Sequence, residues 1–236
     1  MTGNPLKTKS IFWIKVNMKF KFTDETKTSL TGEAIYRIEA IEDIPSQRVK
    51  VGDKGGFVSK SAQVTGDAWV SGDARVYGNA HVSGNAEVSG DAWVYGDAHV
   101  YGNAHVYGYA FVSGNAQVSS TAQVSGDSLV SGNAQVYGNA LVCGDAWVSG
   151  NACVSGDAHV YGDAHVYGNA RVYGDAWVSG NAQVSSTARV YGNARVYGIA
   201  QVSGDAIVSG YARVYGDAEV SGYACVYGDI SGKEQE

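Results

Sequence analysis

Five histidines, His81, His99, His105, His159 and His165, are the side chains in this sequence best suited to acid–base work. An imidazole titrates near neutrality, so it can act as a general base or ligate a metal. His81 and His99 stand at the same place in a repeating pattern, three repeat units apart. Two ligands fall short of a zinc site, which takes three or four protein groups. Asp127, Asp145 and Asp163 repeat the same interval. Stacked carboxylates are the donors Ca²⁺ takes, but it wants six or more oxygens, and the spacing supplies no others. Solvated turn aspartates are the favoured reading. Arg171, Arg189 and Arg195 sit among tyrosines, a combination suited to stacking on bases or binding sugars. Cys143, Cys153 and Cys225 are odd in number and do not form a disulfide framework.

That interval has a simple origin. Valine falls at every sixth position from Val58 to Val226 without a miss, inside hexads such as Val76-Tyr77-Gly78-Asn79-Ala80-His81. Such a period marks a solenoid. In the unit Ala-x-Val-Ser/Tyr-Gly-Asp/Asn, strand alternation turns Ala and Val to one side and the x and Ser/Tyr positions to the other. Gly accepts positive φ, and Asn and Asp tolerate it, so each Gly-Asp or Gly-Asn pair makes a corner. A short strand cannot bury its valine alone. Three strands wrapped into a triangular coil, with coils stacked, can do so.

The residues resemble the hexapeptide repeat of left-handed parallel β-helices, in which an aliphatic residue is followed four places later by a small one. Here the small residue is Ala62, Ala68, Ala74 and onward, with Ser128 and Ile230 as exceptions. The glycine lies two places after the aliphatic residue, as in a group of mostly uncharacterised bacterial and phage proteins. The segments Met18-Lys19-Phe20-Lys21-Phe22-Thr23 and Gly55-Gly56-Phe57 also look like that group. The resemblance implies the left hand and a phage or mobile-element origin. It extends to trimeric acyltransferases of similar fold, which use a histidine base at a subunit interface. No catalytic motif carries over to a residue of this chain. All five histidines share one outward slot that also accepts Gln, Arg, Trp, Glu and Leu, and no loop interrupts the hexads.

The expected fold is all-β: a left-handed parallel β-helix with three hexads per coil and a small N-terminal β cap. Nine to ten coils would make a rod of roughly 45 Å. Residues 1–17 read as a flexible lead or an upstream extension, with translation starting at Met1 or Met18. Residues 18–57 read as the cap, with strands at Lys19–Thr23, Ala34–Ile41 and Arg48–Val51. Residues 58–230 are the helix and 231–236 a polar tail.

The period sorts the outward residues onto three faces. The first carries Gln63, His81, His99, Gln117, Gln135, Cys153, Arg171, Arg189, Ile207 and Cys225. The second runs from Trp69 through His105, His159, Trp177 and Arg195 to Arg213. On the third, Trp93, Phe111, Leu129 and Trp147 fall on consecutive rungs. An apolar stripe outside a rod marks an interface, and a homo-oligomer fits it best. Asn115, Asn133, Asn151 and Asn169 share a corner and suit a structural amide ladder. Net charge of −6 argues against nucleic acid and anionic membrane. No run is long enough to span a bilayer, and Ile11–Val16 is too short for a signal-peptide core, which points to the cytoplasm. The expectation is a non-enzymatic, self-associating scaffold or binding module without cofactor or metal. Tyr95, His81, His99, Arg171 and Arg189 are its candidate ligand contacts. A nucleotide sponge with intersubunit pockets and an acyltransferase-like enzyme are the alternatives. Ice binding would want a regular threonine array, and the repeat holds only Thr65, Thr121 and Thr187.

Overall fold

Each hexad contributes one short strand, its outward residue and its valine, as in His81–Val82 and Trp147–Val148. The glycine two places on turns the chain; Gly126, for instance, has φ +70°. Strands pair in parallel with their equivalents one coil away: His99 lies between His81 and Gln117, and Val100 between Val82 and Val118. This computed structural model describes residues 18–232. The expectations for residues 1–17 and 233–236 lie outside the described residues. The strands form three sheets of 12, 10 and 10, one for each face of a parallel β-solenoid of about ten turns. The three faces carry the outward residues assigned to them from the period.

The interior is a column of valine and alanine. Val148, Ala146 and their equivalents from Val70 to Val214 are fully buried. Each buried valine contributes about 1.5–3 kcal/mol. Ser128 takes an alanine place, also fully buried, and its hydroxyl donates to the Ser125 carbonyl at 2.8 Å. That bond satisfies the polar group the substitution would otherwise strand. Ser120 and Ser186 stand where other corners have glycine, with φ +61° and +58°. In both cases the next residue compensates: the Thr121 and Thr187 hydroxyls donate to the Gly138 and Gly204 carbonyls, each at 2.9 Å.

The N-terminal strands β1 (Phe20–Thr28), β2 (Ala34–Ala40) and β3 (Lys54–Ser59) continue the third-face sheet. β1 and β2 pair antiparallel, as do β2 and β3, and β3 then runs parallel to Arg75–Val76. Phe20, Ile38, Ala40, Ile44 and Val49 join the valine–alanine core and close its N-terminal end. Gly56 makes this fit possible, because a Cβ there would lie 2.6 Å from the Ala74 carbonyl oxygen. Ion pairs fasten the strands to the first coil: Lys19 to Asp67 at 2.6 Å, Lys27 to Asp73 at 3.1 Å, and Arg37 to Asp73 at 3.3 Å.

Two local expectations are corrected. Arg48–Val51 is not a strand. Pro45–Gln47 forms a 3-10 turn, Arg48 adopts φ +57°, and only Val49 bridges, back to Ile44. The Lys50 and Val51 amides donate to the Asp53 and Asp43 carboxylates, at 2.7 and 2.9 Å. Those side chains replace ladder partners. At the other end, Ile230 pairs with Val214, and Ser231 with Tyr215, an interval shorter than a full coil. The last strand has slipped along the ladder, so Ile230 takes a valine place and not the small-residue place.

Candidate functional site

The third face brings the apolar stripe together as expected. Phe111 lies in register between Trp93 and Leu129, and Leu129 beside Trp147. The Trp93 and Phe111 rings are 5.4 Å apart. The first three side chains are half-buried by their neighbours, whereas Trp147 is 49 % exposed. His165 extends the stripe by stacking on Trp147 at 5.1 Å and 7°. Toward the cap, Arg75 lies over the Trp93 ring at 4.6 Å. Tyr77 disappears beneath the cap strands, against Ile35 and Phe57. Burial pushes its phenol up to about 12. Tyr95 stacks on Tyr77 at 5.1 Å and 4°, so this candidate ligand contact is partly committed to the cap, and it lies on a different face from the other four.

The first face holds the remaining candidates in two separate places. His81 and His99 are neighbours, ring centroids 5.6 Å apart, and Thr65 Oγ1 lies 3.4 Å from His81 Nε2. Burial, then the nearby His99, holds the His81 imidazole below its ordinary range. No group of three or more His, Cys, Asp or Glu side chains converges on one point among the described residues. The other histidines have structural neighbours: His159 stacks on Trp177 at 5.4 Å, and His105 Nδ1 lies 3.5 Å from Glu87. Burial also raises the Cys143 thiol, which weakens it as a nucleophile.

Four rungs beyond His99, Arg171 and Arg189 lie directly opposite one another in the ladder. Both are exposed, and neither makes an ion pair among the described residues. Like charges directly opposite one another in a ladder repel, so the pair is mildly unfavourable as it stands. Beside them Tyr173 and Tyr191 stack at 4.9 Å and 8°. The next rung carries the small side chains Cys153 and Ser155. The result is an open groove of about 620 Å³, bounded by Tyr137 on one side and by Arg171, Tyr173 and Arg189 on the other. Tyr137 Oη accepts from Cys153 Sγ at 3.5 Å across its floor. Asn133 and Asn151 line the groove's edge. They belong to the amide ladder Asn115–Asn133–Asn151–Asn169, whose successive bonds are 3.0, 2.9 and 3.0 Å.

Arg171, Arg189 and the tyrosines among them, Tyr173 included, stand out in the sequence, whereas Tyr137, Cys153 and Ser155 do not. Their signal was present in the columns that the coil period defines: a small pair, Cys and Ser, between rungs of long side chains. A second arginine pair, Arg195 and Arg213, stands in register on the second face, with Arg195 over the Trp177 ring at 4.7 Å.

Five segments of the chain, residues 68–84, 134–150, 164–180, 188–198 and 200–216, match the family model of the YdcK beta solenoid repeat. No curated protein matches the chain. Three of the segments hold Arg171, Arg189, Arg195 and Arg213, so both arginine pairs lie on recognisable repeat units and not on insertions. Segments that match one solenoid-repeat model, together with parallel coils stacked in fixed register, make this chain a β-solenoid repeat protein.

Proposed function

We propose that this protein is a non-enzymatic, self-associating scaffold, a left-handed β-solenoid whose third face meets a second copy. The observation that supports this reading most is the in-register stripe Trp93–Phe111–Leu129–Trp147, four large apolar side chains on consecutive rungs of one face. A second copy is the occupant that suits it. A two-fold contact sets the same flat stripe on itself, aromatic against aromatic, and closes without leaving a stripe exposed. The resemblance to phage and mobile-element solenoids fits such a role. Three free thiols fit a cytoplasmic location. No helix among the described residues is long and apolar enough to cross a membrane.

The test is mass by analytical ultracentrifugation at micromolar concentration. Wild type is expected as an oligomer and Trp93→Lys/Trp147→Lys as a monomer of unchanged fold; a monomeric wild type removes the reading. The acyltransferase alternative predicts thiol release from acetyl-CoA that a His81→Ala or His99→Ala change abolishes. The expected result is no release above background. The first-face groove would let the same scaffold also serve as a binding module.

A further inference from the structure

We propose that the first-face groove binds a small organic phosphate carrying a planar ring, with the phosphate on Arg171 and Arg189 and the ring on Tyr173. This site is separate from the third-face stripe. The chain is net acidic, and its N-terminal cations are mostly neutralised: Lys19, Lys21, Lys27, Arg37 and Lys50 each pair with a carboxylate. Arg171 and Arg189 instead stand side by side without an acid partner among the described residues, and no carboxylate lines the groove they border. With their backbones one strand spacing apart, about 4.8 Å, Arg171 and Arg189 can bring N–H donors onto one phosphate together. A bound anion would also remove the repulsion between them.

The place for the ring is in the neighbouring column, which reads Tyr137, Ser155, Tyr173 and Tyr191 on successive rungs. Aromatic residues adjacent in such columns stack face to face, as Tyr173–Tyr191 at 4.9 Å and Tyr197–Tyr215 at 5.3 Å show. Above Tyr173 the place belongs to Ser155, so the second face of the Tyr173 ring has no ring on it among the described residues. The gap is one rung high, the space that one planar ring fills in the protein's own stacks. Arg171 and Tyr173 are two positions apart on a strand, about 7 Å, a span a pentose can bridge. The hydroxyl and amides of Tyr137, Asn133 and Asn151 supply polar contacts around the rim.

AMP is a suitable probe, titrated into the full-length protein by calorimetry beside adenosine and inorganic phosphate. AMP should bind at least about tenfold more tightly than either fragment. Arg171→Gln and Arg189→Gln should each weaken AMP about tenfold, and Tyr173→Leu should reduce it to the affinity of inorganic phosphate. Arg171→Lys, which keeps charge but loses the fork, should fall between. Thermal melts and sedimentation of the same samples separate lost binding from lost fold or lost assembly. AMP binding no tighter than adenosine or phosphate, or unchanged in the Arg171→Gln/Arg189→Gln double variant, overturns the site. Either result leaves the scaffold reading standing.

Discussion

At the residue scale, the demands on this chain are set by stacking. Gly126 illustrates them: its φ of +70° is costly for an L side chain, and a Cβ would sit 2.8 Å from the Gly144 backbone nitrogen. Gly126→Ala should therefore destabilise by about 2 kcal/mol or more in a denaturant titration, through backbone strain added to the close contact. Val148 has no exposure at all, and Val148→Asp should cost several kcal/mol, because the new carboxylate has no partner in the valine column. A melt equal to wild type would refute the inward assignment. Tyr77 makes a subtler case. Its hydroxyl is buried without a hydrogen bond of ordinary geometry, so Tyr77→Phe should leave stability unchanged or raise it slightly. Because the native phenol is raised to about 12 from 10, the folded state holds its proton where the unfolded chain has lost it. Stability should then fall as pH rises from 10 toward 12, and Tyr77→Phe should remove that part of the alkaline loss.

At the element scale, the cap is the piece with its own pH response. The Lys19 ammonium, then the Ser46 hydroxyl, hold the Asp67 carboxyl below the usual range, and Lys27 does the same for Asp73. A depressed carboxylate contributes stability that is full above its unfolded value and disappears as pH falls through the folded one. Acidification below about pH 4 should loosen β1 and β2 from the first coil before the mid-rod strands respond. Hydrogen exchange by mass spectrometry reads this as faster exchange of residues 20–40 than of residues 93–148. Asp67→Asn/Asp73→Asn should show the same loosening already at pH 7. Equal exchange in both regions at every pH would remove the ion pairs from the account of how the cap is held. These pairs were invisible in the sequence, since Lys19 and Asp67 are far apart along the chain and no period relates them. The misplaced third cap strand has the same cause: Asp43 and Asp53 capture the amides of Val51 and Lys50, and such side-chain capture leaves no periodic trace.

At the scale of the whole molecule, the hexad and the coil are different units, and a deletion can separate them. Removing the segment 117–122 takes out one hexad and leaves every valine in step, so the solenoid should still form. Everything beyond the cut then moves round by one face. Leu129 and Trp147 leave the stripe of Trp93 and Phe111, while Arg171, Arg189 and Tyr173 move together. The shortened protein should keep a cooperative melt, lose mass by sedimentation, and retain AMP binding. Retained assembly would show that the stripe is not the interface. Removal of one whole coil, the segment 99–116, restores the faces but takes Phe111 from the stripe, so assembly should weaken and not vanish.

The hexad period by itself determined the β-solenoid, the inward valines and alanines, the glycine corners, the three faces and the asparagine ladder, because each follows from strand alternation plus a fixed interval. The interval also placed Trp93 beside Phe111 and Arg171 beside Arg189. The tertiary structure decided what breaks the interval. It seated the cap through long-range ion pairs, slipped Ile230 out of the period, buried Tyr77 beneath β2 and β3, and committed Tyr95 to a stack with Tyr77 on a face the other candidate ligand contacts do not share. It also revealed the groove over Cys153 and Ser155, because a cavity is made by the heights of neighbouring side chains across stacked coils. A one-dimensional repeat specifies which residues are neighbours; only their packed shapes specify the space left between them.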